Sequence, residues 1–273
     1  MGSAIDRGAV LVTGASSGIG MAIAREVASR AKTLVLVARR VQRLEELRAE
    51  LSKTRSDLRI EVIACDLSDR EQTRSLHGEV TARGIDIDVL VNNAGVGLMG
   101  AFDRADPERL LSMIELNVTS LTLLTRAFLP SMIGRRRGGV LNISSGFGLS
   151  VLPSFAGYIA TKHYVTGLNE ALVADLAGTG VTATQVCPGP VATEFEQGIG
   201  NYTGKKVPSF IEITPEACAR AAIQGFDRGR AMVVPGFLIK LALLLNAVSP
   251  RFLRRIVAGA LGKVARDKEL GAR

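Results

Sequence analysis

The sequence predicts an α/β fold: one doubly wound parallel sheet of about seven strands, followed by a helical appendage at the C-terminal end. Short apolar runs alternate with longer amphipathic stretches along most of the 273 residues. A glycine-rich turn joins the first run to the first amphipathic stretch. No low-complexity linker or internal repeat breaks the series before residue 236.

The strand candidates are Ala9–Thr13, Thr33–Ala38, Arg59–Cys65, Val89–Asn92, Gly139–Ser144, Thr182–Cys187 and Ala231–Pro235. Most are apolar at successive positions rather than at alternate ones, as strands covered on both faces are. Between them, Ile19–Arg30, Arg40–Lys53, Asp69–Arg83, Pro107–Ile133, Phe155–Ala177 and Pro215–Arg228 carry the helical period. Right-handed crossovers then wind the chain around the sheet and leave a binding crevice at the strand C-termini. Residues 1–235 are expected to form one domain, with 236–273 as an extension beyond the last strand.

Hydrophobic residues make up 47% of the chain and charged residues 22%, an ordinary globular composition. Cys65, Cys187 and Cys218 lie far apart and give no disulfide framework, which suits reduced thiols in a cytoplasmic protein. His77 and His163 are too few and too isolated for a metal cluster, so no metal site is expected. With the first strand beginning at Ala9, no cleavable signal peptide is expected. The longest apolar stretch, Phe237 to Val248, falls short of the ~20 residues needed to span a bilayer. The net charge of +8 is local: from Arg228 onward there are ten Lys/Arg against two Asp/Glu, and the preceding residues balance. A basic tail on a neutral body argues against a nucleic-acid-binding domain.

The first strand runs into Thr13-Gly14-Ala15-Ser16-Ser17-Gly18-Ile19-Gly20 and then a helix. Glycines there let the backbone approach a pyrophosphate, which the N–H groups and dipole of the helix N-terminus stabilise. Asp66-Leu67 follows the third strand, Asn92-Asn93-Ala94-Gly95 the fourth and Ser145 the fifth. Asn117 lies in the long helical stretch, Tyr158-x-x-x-Lys162 in the next, and Pro188-Gly189 with Thr193 follows the sixth strand. In this order and spacing, over roughly residues 8 to 235, the sequence resembles the short-chain dehydrogenases/reductases, which have a Rossmann-like fold. The resemblance implies cofactor contacts from Gly14, Ser16, Ser17, Gly18, Ile19, Gly20, Asp66, Leu67, Asn93, Ala94, Gly95, Pro188, Gly189, Val191 and Thr193, joined by Tyr158 and Lys162.

At the end of the second strand stand Arg39 and Arg40, with no carboxylate until Glu45. An acid there would repel a 2′-phosphate, whereas guanidiniums suit bidentate phosphate contacts. NADP(H) is therefore expected over NAD(H). The other reading of Arg40 is that it simply begins the solvated face of the next helix.

Tyr158 and Lys162, four residues apart in a helical pattern, share a face. A neighbouring ammonium pulls the phenol pKa from about 10 toward the working pH. The resemblance assigns the roles. Tyr158 gives its proton to a carbonyl oxygen, Lys162 lowers the phenol pKa and holds the nicotinamide ribose, Ser145 bonds the same oxygen, and Asn117 holds a proton-relay water. Ser144 is expected to point away, and His163 reads as structural.

Uncharged segments near this group (Val96 to Ala101 and Phe147 to Phe155) predict an apolar carbonyl or alcohol substrate. Residues 190–214 read as a lid. An NADP(H)-dependent oxidoreductase is expected, with two alternatives: a catalytically idle NADP(H)-binding regulator, or a membrane-surface reductase of lipid-derived ketones. Partners are the small substrate and further copies of the chain, as a homodimer or homotetramer paired through the helices of Asn117 and Tyr158. In the tail, Ser249-Pro250 supplies a helix cap and first position. The stripe Phe252, Leu253, Ile256, Val257, Ala260, Leu261 and Val264 that follows is expected to pack on protein, with the basic side in solvent. A membrane-surface role is the other reading of this stripe.

Overall fold

The computed structural model describes residues 2–200, 208 and 211–271. Seven strands, β1 (Ala9–Thr13), β2 (Thr33–Ala38), β3 (Arg59–Ala64), β4 (Val89–Asn92), β5 (Gly138–Ile143), β6 (Val181–Val186) and β7 (Met232–Val233), form one sheet in the order β3-β2-β1-β4-β5-β6-β7. Every pairing is parallel, with registers such as Val12 on Leu36, Leu11 on Leu90 and Asn92 on Asn142. The order reverses between β1 and β4, which puts the crevice at the C-terminal ends of those two strands.

Helices α1 (Gly18–Ala28), α2 (Val41–Thr54), α3 (Arg70–Ala82), α4 (Pro107–Ile114), α5 (Ser120–Gly134), α6 (Ala156–Asp175), α7 (Phe195–Gly198), α8 (Pro215–Asp227), α9 (Phe237–Val248) and α10 (Arg251–Gly271) complete the described chain. One face of the sheet is covered by Ile23 and Val27 of α1, Leu44 and Leu47 of α2, and Ile223 and Phe226 of α8. The other is covered by Leu76 and Val80 of α3, Leu124, Phe128 and Met132 of α5, and Leu172 of α6. Burial on both faces explains the unbroken apolar runs of the inner strands.

The long stretch read as one helix, Pro107–Ile133, is broken. Asp106 caps α4 by accepting from the Glu108 and Arg109 amides, and Pro107 takes the first position. A π-helical turn, Glu115–Thr119, then separates α4 from α5. β7 is shorter than the expected Ala231–Pro235, because Pro235 has no N–H to donate and Gly236, at φ 86°, turns the chain into α9.

A chain of buried amides crosses the sheet. Asn92 Nδ2 donates to Asn142 Oδ1 at 2.9 Å and to Thr125 Oγ1 of α5, Asn142 Nδ2 donates to Asn169 Oδ1 of α6 at 3.1 Å, and Asn169 Nδ2 donates to the Ala231 carbonyl at 3.2 Å.

The tail corrects an expectation. α9 touches the body through Ile239 over Gly189, Leu243 near Gly146, and Asn246, whose amide donates to the Leu149 carbonyl at 3.1 Å. α10 touches it through Gly262 beside Pro153 and an Arg266–Asp103 ion pair at 2.9 Å. The α10 stripe, expected to dock on its own domain or on a partner subunit, does not pack on its own domain but faces outward: Phe252 and Ile256 are 67% and 64% exposed. The side turned inward holds Arg254, Ala258, Gly262 and Ala265, all half-buried. Small residues let the helix sit close to the body, so the bulky ones point away. The helix also begins at Arg251, one residue later than expected, with the Pro250 carbonyl accepting from Arg254 N.

Candidate active site

The glycine turn after β1 is shaped for close backbone approach. Gly14 and Gly18 take φ values of 64° and 54°, a region that side chains disfavour. A Cβ on Gly14 would lie 2.8 Å from Asn93 Nδ2, and one on Gly18 would lie 3.0 Å from the Thr193 methyl. The turn is held from β4: Thr13 Oγ1 donates to the Val91 carbonyl and accepts from the Asn93 and Ala94 amides, while Asn93 Nδ2 donates to the Thr13 carbonyl at 2.8 Å. Asn93, expected from the sequence to contact the cofactor, clamps the glycine turn with its side chain, and Thr13 is a positioning residue that the sequence reading did not single out. The turn with the α1 N-terminus behind it fits a dinucleotide pyrophosphate.

Arg40 folds back onto this turn. Its Nη2 donates to Ser17 Oγ at 2.7 Å and its Nε to Ser16 Oγ at 3.2 Å. Its Nη1 pairs with Glu194 at 2.7 Å, and Arg43 Nη1 meets the other oxygen of that carboxylate at 2.9 Å. Arg40 is therefore more than the start of a solvated helix face. Arg39 is more exposed and stands 3.6 Å from Asp66, whose carboxyl accepts from Ser68 N and Oγ. These contacts hold the Asp66 carboxyl below the usual carboxylate range, against the effect of burial. Leu67 is buried beneath. Glu194 and Arg43 escaped the sequence reading. A cleft of about 540 Å³ opens beside this cluster, lined by Ser17, Gly18, Met21, Arg43, Thr193 and Glu194.

Tyr158, Lys162 and Asn117 come together at the C-terminal ends of β4 and β5, and all three are buried. Lys162 Nζ donates to the Ile143 carbonyl at 2.8 Å and lies 5.8 Å from the centre of the Tyr158 ring. Burial pushes the phenol up to about 12, opposed by a hydrogen bond with Ser145. Burial pulls the Lys162 ammonium down to about 8. The expected lowering of the phenol by the ammonium does not show in the chain alone: burial sets the direction, and the opposing contact is with Ser145.

Ser145 Oγ, half-buried, also accepts from the Phe147 amide at 3.1 Å. Ser144 turns away as expected, to the Lys162 carbonyl and Thr166. His163 Nδ1 sits 3.0 Å from the Ile159 carbonyl of its own helix.

Asn117 occupies the middle of the π turn, a deviation that often marks functional positions. Its Oδ1 accepts from Val96 N at 3.0 Å, and its Nδ2 donates to the Val96 carbonyl and to Thr161 Oγ1. The amide is committed to holding the strand-end loop, leaving one lone pair for any water. Gly95 passes against both Asn117 Oδ1 and Lys162 Nζ, where a Cβ would stand 3.2 Å and 3.6 Å from them.

The substrate side is aromatic. Phe147, Phe155 and Phe195 surround the Tyr158 ring with centroids 6.1, 6.5 and 5.6 Å away. Phe195 comes from α7, inside the segment read as a lid. The ends of that segment are tied together: Val191 bridges Ile213, and Pro190 and Ala192 exchange backbone hydrogen bonds with Ile213. Met99 N donates to the Ile199 carbonyl. Residues 201–207, 209 and 210 of the expected lid lie outside the described residues. Pro188 and Gly189 lead into this segment under Ile239 of α9. Among the described residues, no group of three His, Cys, Asp or Glu could hold a metal ion.

The family model described as short chain dehydrogenase matches residues 8–202. The very-long-chain 3-oxoacyl-CoA reductase of Anas platyrhynchos is 33% identical over 78% of this chain and 67% of its own. The NADP-dependent 3-hydroxy acid dehydrogenase of Salmonella typhi is 35% identical over 78% of this chain and 86% of its own. Among solved structures, a short-chain dehydrogenase from Sphingobium yanoikuyae in complex with NADPH superposes with a TM-score of 0.76 at 30% identity, covering 89% of this chain and 97% of that one.

Proposed function

The chain belongs to the short-chain dehydrogenase family of oxidoreductases, and on that premise we propose that it is an NADP(H)-dependent enzyme for an apolar carbonyl or alcohol. The observation that carries this reading is the buried trio of Tyr158, Lys162 and Asn117, with Ser145, set one strand from a glycine turn shaped for a pyrophosphate.

When bound, the nicotinamide supplies or accepts the hydride. The chain does the rest. A phenol raised to about 12 is protonated at neutral pH, the form a proton donor requires, so Tyr158 is suited to protonating a developing alkoxide. Ser145 bonds the same oxygen and orients the carbonyl. Lys162 would hold the nicotinamide ribose and return a proton toward Tyr158. Asn117 and Thr161 hold the Val96 loop, so that Gly95 stays clear of both polar groups.

The pairing of Arg40 with Ser16 and Ser17 supports a 2′-phosphate site there, with Arg39 and Arg43 beside it, and the NADP in the Salmonella relative's name agrees. The aromatic ring of Phe147, Phe155 and Phe195 supports an apolar substrate. The outward apolar side chains Leu111, Ile114, Tyr164 and Val173 on α4 and α6 support pairing with a further copy.

The deciding experiment follows NADPH consumption by the purified protein against a panel of apolar ketones and aldehydes, with NADH in parallel. Turnover with NADPH exceeding that with NADH is expected. Inactivity with both across the panel would remove the reading.

A further inference from the structure

Among the described residues, twelve of the twenty-three exposed large hydrophobic side chains fall on α9 and α10. Phe237 and Val248 of α9 are 78% and 73% exposed, even more than Phe252 and Ile256 of α10. Such a concentration is foreign to a solvated surface and marks a face that something covers.

Charge says what. Thirteen of the nineteen arginines before Arg228 hold a carboxylate among the described residues, as in Arg25–Glu50, Arg30–Asp227 and Arg83–Glu61. The tail cations Lys240, Arg251, Arg255 and Lys263 are exposed and hold no ion pair among the described residues. A second copy of the chain fits this face poorly. A two-fold interface sets a patch against itself, so these cations would face a patch that carries the same cations. The rest of the chain offers no compensating excess of charge, since the residues before Arg228 are electrically balanced. Apolar side chains bordered by unmatched cations are complementary to a bilayer with anionic headgroups. No described helix is long and apolar enough to cross it, so the contact would be superficial.

We propose that α9 and α10 form a docking face that lays the protein on the surface of an anionic membrane. The face adjoins the mouth of the catalytic site. α9 rests on Gly146 and Leu149, α10 on Pro153, and between these contacts Val151 and Leu152 are themselves exposed. Docked this way, the loop after Ser145 opens toward the acyl region. The substrate is then a lipid-derived carbonyl compound taken from the membrane, a step that rests on the function proposed above, whereas the docking does not.

The test is sedimentation of the full chain with vesicles of phosphatidylcholine alone or mixed equally with phosphatidylglycerol. Binding is expected only to the anionic vesicles, and it should fall about tenfold or more between about 50 mM and about 500 mM salt. Phe252→Glu with Ile256→Glu, both at exposed positions, should abolish binding while leaving the melting temperature, the subunit number by light scattering, and NADPH turnover on a water-soluble ketone unchanged. Absence of vesicle binding by the wild type at low salt overturns the proposal. So does retained binding in the double variant, or a drop in subunit number, which would assign the face to a second copy. Loss of turnover in wild type and variant alike, with vesicle binding intact, counts against the proposed function and leaves the docking face standing.

Discussion

Arg40 and Glu194, 154 positions apart in sequence, meet in a 2.7 Å ion pair beside the glycine turn. The carboxylate occupies the same guanidinium that a cofactor 2′-phosphate would need, and Arg43 shares it. Exposed pairs of this kind contribute about 0.2–1 kcal/mol. Glu194→Gln should therefore tighten NADP(H) binding by up to about fivefold and leave NAD(H) nearly unchanged. Replacing Arg39 and Arg40 together with Ala should weaken NADP(H) by up to a few kcal/mol. Titration of cofactor fluorescence measures both, and equal wild-type affinities for the two cofactors would refute the preference.

Tyr158→Phe should lower turnover about 10²–10⁴-fold, the range of a lost general acid. Cofactor affinity should change little, because the phenyl ring keeps its contacts with Phe147, Phe155 and Phe195. Steady-state kinetics beside a binding titration checks the split. Substantial turnover in the variant would take Tyr158 out of the mechanism.

Lys162 gives a pH signature. Its ammonium, near 8 in the folded chain, titrates at 10.5 when solvated. Between those values the unfolded chain binds a proton that the folded chain does not, so this residue makes stability rise with pH across that window. The slope reaches roughly 1.4 kcal/mol per pH unit. Tyr158, raised to about 12, acts oppositely above about pH 10. The melting-temperature difference, Lys162→Met minus wild type, should be most positive at neutral pH and shrink from pH 8 to pH 10. A difference independent of pH would show that the lysine is not depressed. Turnover of the wild type in ketone reduction should decline as pH passes 8.

Asn117→Ala removes one buried and two part-buried hydrogen bonds and takes the side-chain partner from the Val96 amide and carbonyl. A loss of about 2–4 kcal/mol in denaturant unfolding is expected. A loss below about 1 kcal/mol would mean that water replaces the side chain readily.

Light scattering at micromolar concentration should give at least a dimer, paired through α4, α5 and α6. Tyr164→Asp, at an exposed position on α6, should weaken it. A monomeric wild type would exclude that interface.

Much of the fold was legible because parallel strands covered on both faces leave unbroken apolar runs, and β1, β2 and β4 begin and end where those runs do. The break at Glu115–Thr119 was not, since a π turn shifts the helical period by one residue without any proline or glycine to announce it. Spacing put Tyr158 and Lys162 on one helix face, and the family resemblance singled out Ser145 with them. Glu194 could be found by neither: a carboxylate that reaches two arginines across the crevice is a product of tertiary structure. The outward face of α10 was hidden for a related reason. Periodicity locates an apolar stripe but not the side on which the body lies, and here Ala258, Gly262 and Ala265 decide it by their small size. The direction of the Tyr158 shift follows from burial, which no sequence spacing reports.

The amide chain from Asn92 through Asn142 and Asn169 to Ala231 makes the sheet intolerant of error during assembly. Its strands come from segments 50 residues apart, so nothing local fixes how far β5 slides along β4. A slip by one residue turns Asn142 to the opposite face, breaks both of its links at once and strands polar groups in an apolar interior, each at about 1–3 kcal/mol. Hydrophobic burial alone would barely distinguish the two alignments, because both faces are greasy. The asparagines act as a checksum on strand alignment, rejecting near-native decoys that the core residues would accept.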